Sequence, residues 1–227
     1  MAMRFVTCLA LVIWVSIPVL AVQAGDSLSV PNELAVSQNK DKGSNTDWSV
    51  EVGTGVEWSN IRASHQDGYT MIPANLTVAL KIDDVSLDNV FDGILRGNTE
   101  FLFQGYGDMI THGPSGMTRI VGMNYGPRYN FVQPGWKVVP YIEALVGFGF
   151  ADSNPTVDAS GTAHGLGQDF NFTFSVGSGI RYDINDSWYL RLGVLYTHFS
   201  NAGLSEPQHE NQPIDALGPQ VSVGYRF

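Results

Sequence analysis

Cysteine is nearly missing from this chain. The single one, Cys8, lies in an apolar N-terminal segment, so no disulfide framework holds the rest together. Charge is scarce as well. Asp, Glu, Lys and Arg make up 15% of the 227 residues, against about a quarter in an ordinary soluble domain. The charge that is present leans acidic, with 12 Lys+Arg against 22 Asp+Glu. Such a balance repels phosphate backbones and argues against nucleic acid as a partner. Apolar runs near bilayer length are missing beyond the N-terminus, which argues against a bundle of membrane-spanning helices. What the chain has instead is glycine, 25 residues, with 44% apolar and 11% aromatic residues. That is too apolar for disorder and suggests β structure.

Residues 1–24 read as a secretory signal peptide. Arg4 supplies the positive start, residues 5–20 the apolar stretch, and Val22-Gln23-Ala24 a small-residue cleavage site. Residues 25–46 are polar and show no period, and are expected to form a flexible leader. The folded domain is expected over 47–227.

From Asp47 onward the apolar residues recur with period two, the mark of strands with one greasy and one polar face. In the segment 170–182, Phe170, Phe172, Phe174, Val176, Ile180 and Tyr182 alternate with Asn171, Thr173, Ser175, Gly177, Gly179 and Arg181. Equivalent patterns cover 48–58, 72–82, 98–107, 117–131, 136–150, 187–200 and 217–227. Eight strands of this length can each cross a bilayer when tilted, which needs roughly 9–11 residues. The polar face is mostly Gly, Ser, Thr and Asn with isolated ions, suited to a narrow lumen. Glu51, Glu100, Glu143, Arg128, Arg181, Arg191 and Arg226 are expected to form an internal network there. Aromatics at segment ends (Trp48, Trp58, Trp136, Phe150, Tyr182, Phe227) suit an interfacial girdle. The fold expected is all-β, an eight-stranded antiparallel transmembrane β-barrel. A soluble, lipocalin-like barrel is the rival, and a surface dense in Lys and Glu would have favoured it. The segment 83–97 is too long for a tight turn, and a short helix is expected over 87–95.

On the seventh segment, His198 and Ser200 share the apolar, lipid-facing side. Polar groups there are expensive unless satisfied and are functional candidates. A site at the rim, in headgroups and water, would tolerate them without function. His65, His112 and His164 lie in expected loops without ligand spacing. The G-x-G stretches fall inside strands as packing positions.

The run His198-Phe199-Ser200-Asn201-Ala202-Gly203-Leu204, followed by Pro207, closely resembles the motif of the PagL-like lipid A deacylases, the acyloxyacyl hydrolase family. Weaker matches are Arg128-Tyr129-Asn130-Phe131, Pro140-Tyr141-Ile142-Glu143-Ala144, Gly179-Ile180-Arg181-Tyr182 and Gly224-Tyr225-Arg226-Phe227. The resemblance implies an outer-membrane serine esterase that removes the ester-linked 3-hydroxyacyl chain at the 3-position of lipid A. It implies Ser200 as nucleophile and His198 as general base. The acid departs from the family pattern. Treating Gln208-His209-Glu210 as an insertion aligns Asn211 with the family Asn, puts Pro213 where Gly is usual and makes Asp215 the acid. Strand parity agrees, and Glu210 is the alternative. By family position the oxyanion donors are Asn201, Gly203 and Asn211. Leu192, Val194, Tyr196, Phe172 and Phe174 could line an acyl groove or simply face lipid. No cofactor or metal is required. The expected partners are lipid A and the outer membrane, with the site toward the outer leaflet; a homodimer is left open. A non-enzymatic structural or adhesive barrel is the competing function.

Overall fold

A computed structural model describes residues 48–59 and 68–227. The proposed signal peptide and leader lie outside the described residues. Eight long strands run antiparallel. β1 is Trp48–Gly55, continued after Val56 by Glu57–Trp58. β2 is Thr70–Lys81, β3 Asn98–His112, β4 Arg119–Asn130, β5 Val138–Ala151, β6 Phe170–Asp183, β7 Trp188–Ser200 and β8 Ile214–Arg226. Each strand pairs with the next, and β1 pairs with β8 from Ser49↔Arg226 to Gly55↔Gln220. The sheet therefore closes, and the edges that would otherwise need covering disappear.

The period of two holds along every long strand. Outward residues such as Val52, Leu76, Met123, Ile142 and Val194 are 47–63% exposed. A continuous apolar wall of this kind is a lipid-facing surface, because water would penalise it over its whole area. Both ends of the described chain meet at one rim, where Trp48 stacks on Phe227 at 4.0 Å and Trp188 meets Tyr225 at 4.9 Å. The connections 131–137 and 184–187 are at this rim, which is the periplasmic one by the usual rule of short periplasmic turns. The opposite, outer rim carries Ser59, Gly68 and Tyr69 together with 113–118, 152–169 and 201–213, with a two-stranded ribbon of Thr156–Val157 and Ala163–His164. On that rim burial would raise the Asp152 carboxyl. Hydrogen bonds from the Thr118 hydroxyl and from the N–H groups of Arg119 and Thr118 outweigh it and hold the group below the usual carboxylate range.

The internal ion network forms as the parity requires. Arg128 faces Glu100 across β3 and Glu143 across β5. Its guanidinium lies 2.6 Å from Glu51 and 2.7 Å from Glu143. Arg191 reaches Glu51 at 3.1 Å, and Arg226 reaches Asp183 at 2.6 Å. Tyr189 adds a hydroxyl to Glu51 at 2.8 Å. Closer to the outer mouth the lumen changes character. Tyr69, Met71, Ile110, Met117, Ile120, Leu166, Phe199 and Ile214 pack into an apolar plug.

Two expectations need correction. The strands reach further outward than alternation alone indicates: β3 extends to His112, and β8 begins at Ile214 rather than at 217. Inward-facing Ile110, Ile214 and Ala216 join the plug, which blurs the polar–apolar alternation at those ends. The second correction concerns 87–95, which is not helical. Leu87, Phe91, Asp92 and Gly93 take positive φ of 49–81°, which a right-handed helix excludes. The segment is a series of tight turns instead, closed by a bridge between Ser86 and Gly97.

Candidate active site

The site lies where β7 and β8 reach the outer rim, and its placement follows from the plug. Phe199 is inward and 1% exposed, so its neighbours His198 and Ser200 must point outward. Ile214 and Ala216 are likewise inward, which turns Asp215 outward between them. The register sets His198 directly opposite Asp215. A slip of one residue would reverse all of these faces at once.

His198 Nδ1 and Asp215 Oδ1 are 2.8 Å apart. The Tyr196 hydroxyl, two residues before His198 on the same face, donates to the same carboxylate oxygen. The carboxylate is mostly buried and the imidazole about one-third exposed, so the pair is sheltered on one side and open on the other. Ser200 Oγ accepts a hydrogen bond from the Asn211 side-chain amide at 3.0 Å and another from the Ala202 N–H at 3.1 Å. Among the described residues it makes no hydrogen bond to His198, although the two share a face at the next-but-one position. On the other flank, Phe174 stands opposite His198 and Phe172 opposite Ser200.

The following loop is tied down by its own side chains. Asn201 is fully buried; its side-chain Oδ1 accepts from the Gly203 N–H at 2.9 Å and its side-chain amide donates to Ser205 Oγ at 2.9 Å. Asn211 Oδ1 accepts from the Asn201 N–H at 3.3 Å. Ala202 and Gly203 have φ of 55° and 80°. Two successive left-handed residues make a sharp turn, and for Ala202 that conformation is strained. The turn aims the Ala202 N–H at Ser200.

Of the residues singled out by sequence, the structure therefore gathers His198, Ser200, Asp215 and Asn211. Asn201 and Gly203 bond to each other within the loop. Glu210 is exposed and accepts from Gln212 Nε2 at 2.6 Å, away from His198. Tyr196 was legible only as a groove residue; its role beside Asp215 follows from the register of β7 against β8. Ala202 lies within the motif run, where an alanine carries no chemical signal of its own. A concavity of about 610 Å³ runs along the adjacent wall, lined by Pro127, Ile142, Ala144, Val176, Val194 and Leu217 among others. Leu217 lies two residues from Asp215 on the same face. Chemically, a carboxylate orienting an imidazole beside a hydroxyl, with N–H donors at that hydroxyl, is an arrangement suited to acyl transfer.

Known proteins resemble the chain in sequence and in fold. The family described as "Lipid A 3-O-deacylase (PagL)" matches residues 88–226. The protein named "Protein opa" of Haemophilus influenzae is 27% identical over 136 residues, spanning 60% of this chain and 99% of its own length. Neisserial surface protein A has a similar fold, with TM-score 0.52 at 12% identity over 79% of this chain and 96% of that one. The outer membrane enzyme PagL aligns with TM-score 0.49 at 20% identity over 77% of this chain and 97% of that one. The chain is an outer-membrane β-barrel that belongs to the lipid A 3-O-deacylase (PagL) family.

Proposed function

We propose that the protein is a serine esterase that hydrolyses the ester-linked 3-hydroxyacyl chain at the 3-position of lipid A. The observation that carries this reading is the His198–Asp215 pair at 2.8 Å, on the lipid-facing wall beside Ser200. With Nδ1–H donating a hydrogen bond to the Asp215 carboxylate, the imidazole keeps Nε2 unprotonated as a base for the Ser200 hydroxyl. Ser200 Oγ attacks the ester carbonyl carbon and its proton passes to His198. The carbonyl oxygen becomes an oxyanion, with the Asn211 amide and the Ala202 N–H as its donors. Collapse of this intermediate breaks the bond to the sugar oxygen, which takes the proton from His198. A water, deprotonated by the same imidazole, then releases the hydroxy fatty acid from Ser200. Asn201 and Gly203 serve by shaping the loop that presents these donors. Glu210 plays no part in the chemistry.

A site on the outer wall needs no tunnel to its substrate. Lipid A reaches it by lateral diffusion and lays the acyl chain in the concavity beside Val194 and Leu217. Residues 1–24 act as the secretory signal that delivers the chain, and 25–46 as a leader before β1. Expression of the native chain should remove one hydroxyacyl chain from the lipid A of the host, read by mass spectrometry. Ser200→Ala should leave lipid A unchanged while inserting normally. Unaltered lipid A with correctly inserted native protein would overturn the reading.

A further inference from the structure

The connection 82–97 breaks the pattern of short periplasmic turns, and connections of this length in compact folds usually have a use. Its side chains are unusual for a water-facing loop. Phe91 and Ile94 are 73% and 71% exposed, and Ile82, Val85 and Leu87 are exposed with them. Exposed apolar residues grouped at one place mark an interaction surface.

The loop lies against the outside of the barrel. Tyr129 belongs to the outward face of β4, and its hydroxyl donates to the Leu95 carbonyl at 2.7 Å. Gln133 Nε2 donates to the Gly93 carbonyl at 2.8 Å, and Arg96 to the Val132 carbonyl at 2.8 Å. These bonds fasten the segment along the rim between β3 and β5. Its apolar side chains thus continue the lipid-facing wall, which reaches the loop through outward Leu80 and Ile82. The backbone of the tip is bonded within itself, from Val90 to Leu87, Gly93 to Val90, Ile94 to Phe91 and Arg96 to Gly93. These bonds reduce the number of backbone groups that the tip carries into an interface, and the rest can be met by headgroups and interfacial water. Exposed Asp88 and Asp92 can stay at headgroup depth, where charge is tolerated.

We propose that residues 82–94 are a membrane anchor, with Phe91 and Ile94 inserted at the boundary of headgroups and acyl chains in the inner leaflet of phospholipid. The anchor fixes the depth and tilt of the barrel, and so the height of the opposite rim. It rests on the outer-membrane location and not on the chemistry of Ser200.

The test places nitroxide labels at Phe91→Cys and Ile94→Cys, each in the full chain with Cys8→Ser. The protein is reconstituted in vesicles of phosphatidylethanolamine and phosphatidylglycerol. A label at Asp186→Cys, in the exposed turn on the same rim, is the water-facing reference. The ratio of collisions with oxygen to collisions with a soluble nickel chelate should be several-fold higher at 91 and 94 than at 186. Ratios equal to that at 186 would overturn the anchor. Dipolar broadening between labels would also overturn it, in favour of contact with a second copy.

Discussion

In the lower lumen Arg128 is gripped by Glu51 and Glu143, and Arg191 by Glu51, so strand faces there are held by paired charge. Near the outer mouth Met71, Leu166, Phe199 and Ile214 fill the same lumen with hydrocarbon. The difference matters because of what lies on the other side of each wall. Behind the ionic half the wall is apolar, with Pro127, Ile142 and Ala144 of the concavity, and carries none of the groups proposed for the chemistry. Behind the apolar half sit His198, Ser200 and Asp215, whose directions are set by the buried residues between them. Changes in the ionic half should therefore register in stability, and changes at the plug or rim in catalysis.

Five substitutions would break or sharpen that division. The largest effect is expected from Asp215→Ala, which should lower kcat on lipid A by about 10⁴-fold, as loss of a triad acid does elsewhere. Its urea midpoint in vesicles should hold, and Glu210→Ala should stay within about twofold of native activity, since ordinary surface changes are nearly neutral. The reverse ranking would make Glu210 the acid. Next, Arg128→Met should lower unfolding free energy by about 3–5 kcal/mol, because it leaves buried carboxylates unpaired. Activity per folded molecule should survive; its collapse would mean the two halves are coupled. Phe199→Ala should lose about 3–5 kcal/mol as a buried aromatic. Unlike Arg128→Met, it should also reduce kcat, because the strand end carrying His198 and Ser200 loosens. Tyr196→Phe should be the mildest. Losing one hydrogen bond to a carboxylate of about 1.5 kcal/mol predicts roughly a tenfold drop in kcat at unchanged KM, with a loss of stability no larger than that.

Much of the barrel was legible because a strand's two faces follow from parity alone. Arg128, Glu51 and Glu143 could be assigned to one lumen before their partners were known. That His198, Ser200 and Asp215 share the outward face was legible from parity; the roles proposed for them rest on a local motif and an alignment. Tyr196 as a partner of Asp215 was not legible, since that contact crosses from β7 to β8 and depends on a register the intervening loop sets. Asn201 was misleading for a related reason. A side-chain amide near a nucleophile suits an oxyanion donor, yet burial turned this one toward Gly203 and Ser205. The expected helix at 87–95 failed because Leu87, Phe91, Ile94 and Leu95 have helical spacing. Spacing does not reveal that Phe91 and Asp92 sit at positive φ.

The plug also bears on the membrane as a barrier. With Tyr69, Met71, Leu166 and Phe199 packed at the mouth and a mesh of ions below, the described residues obstruct an aqueous route through the lumen. A planar bilayer holding this protein should show no step conductance. A bacterium could then display many copies on its surface and remain impermeable to small toxic compounds.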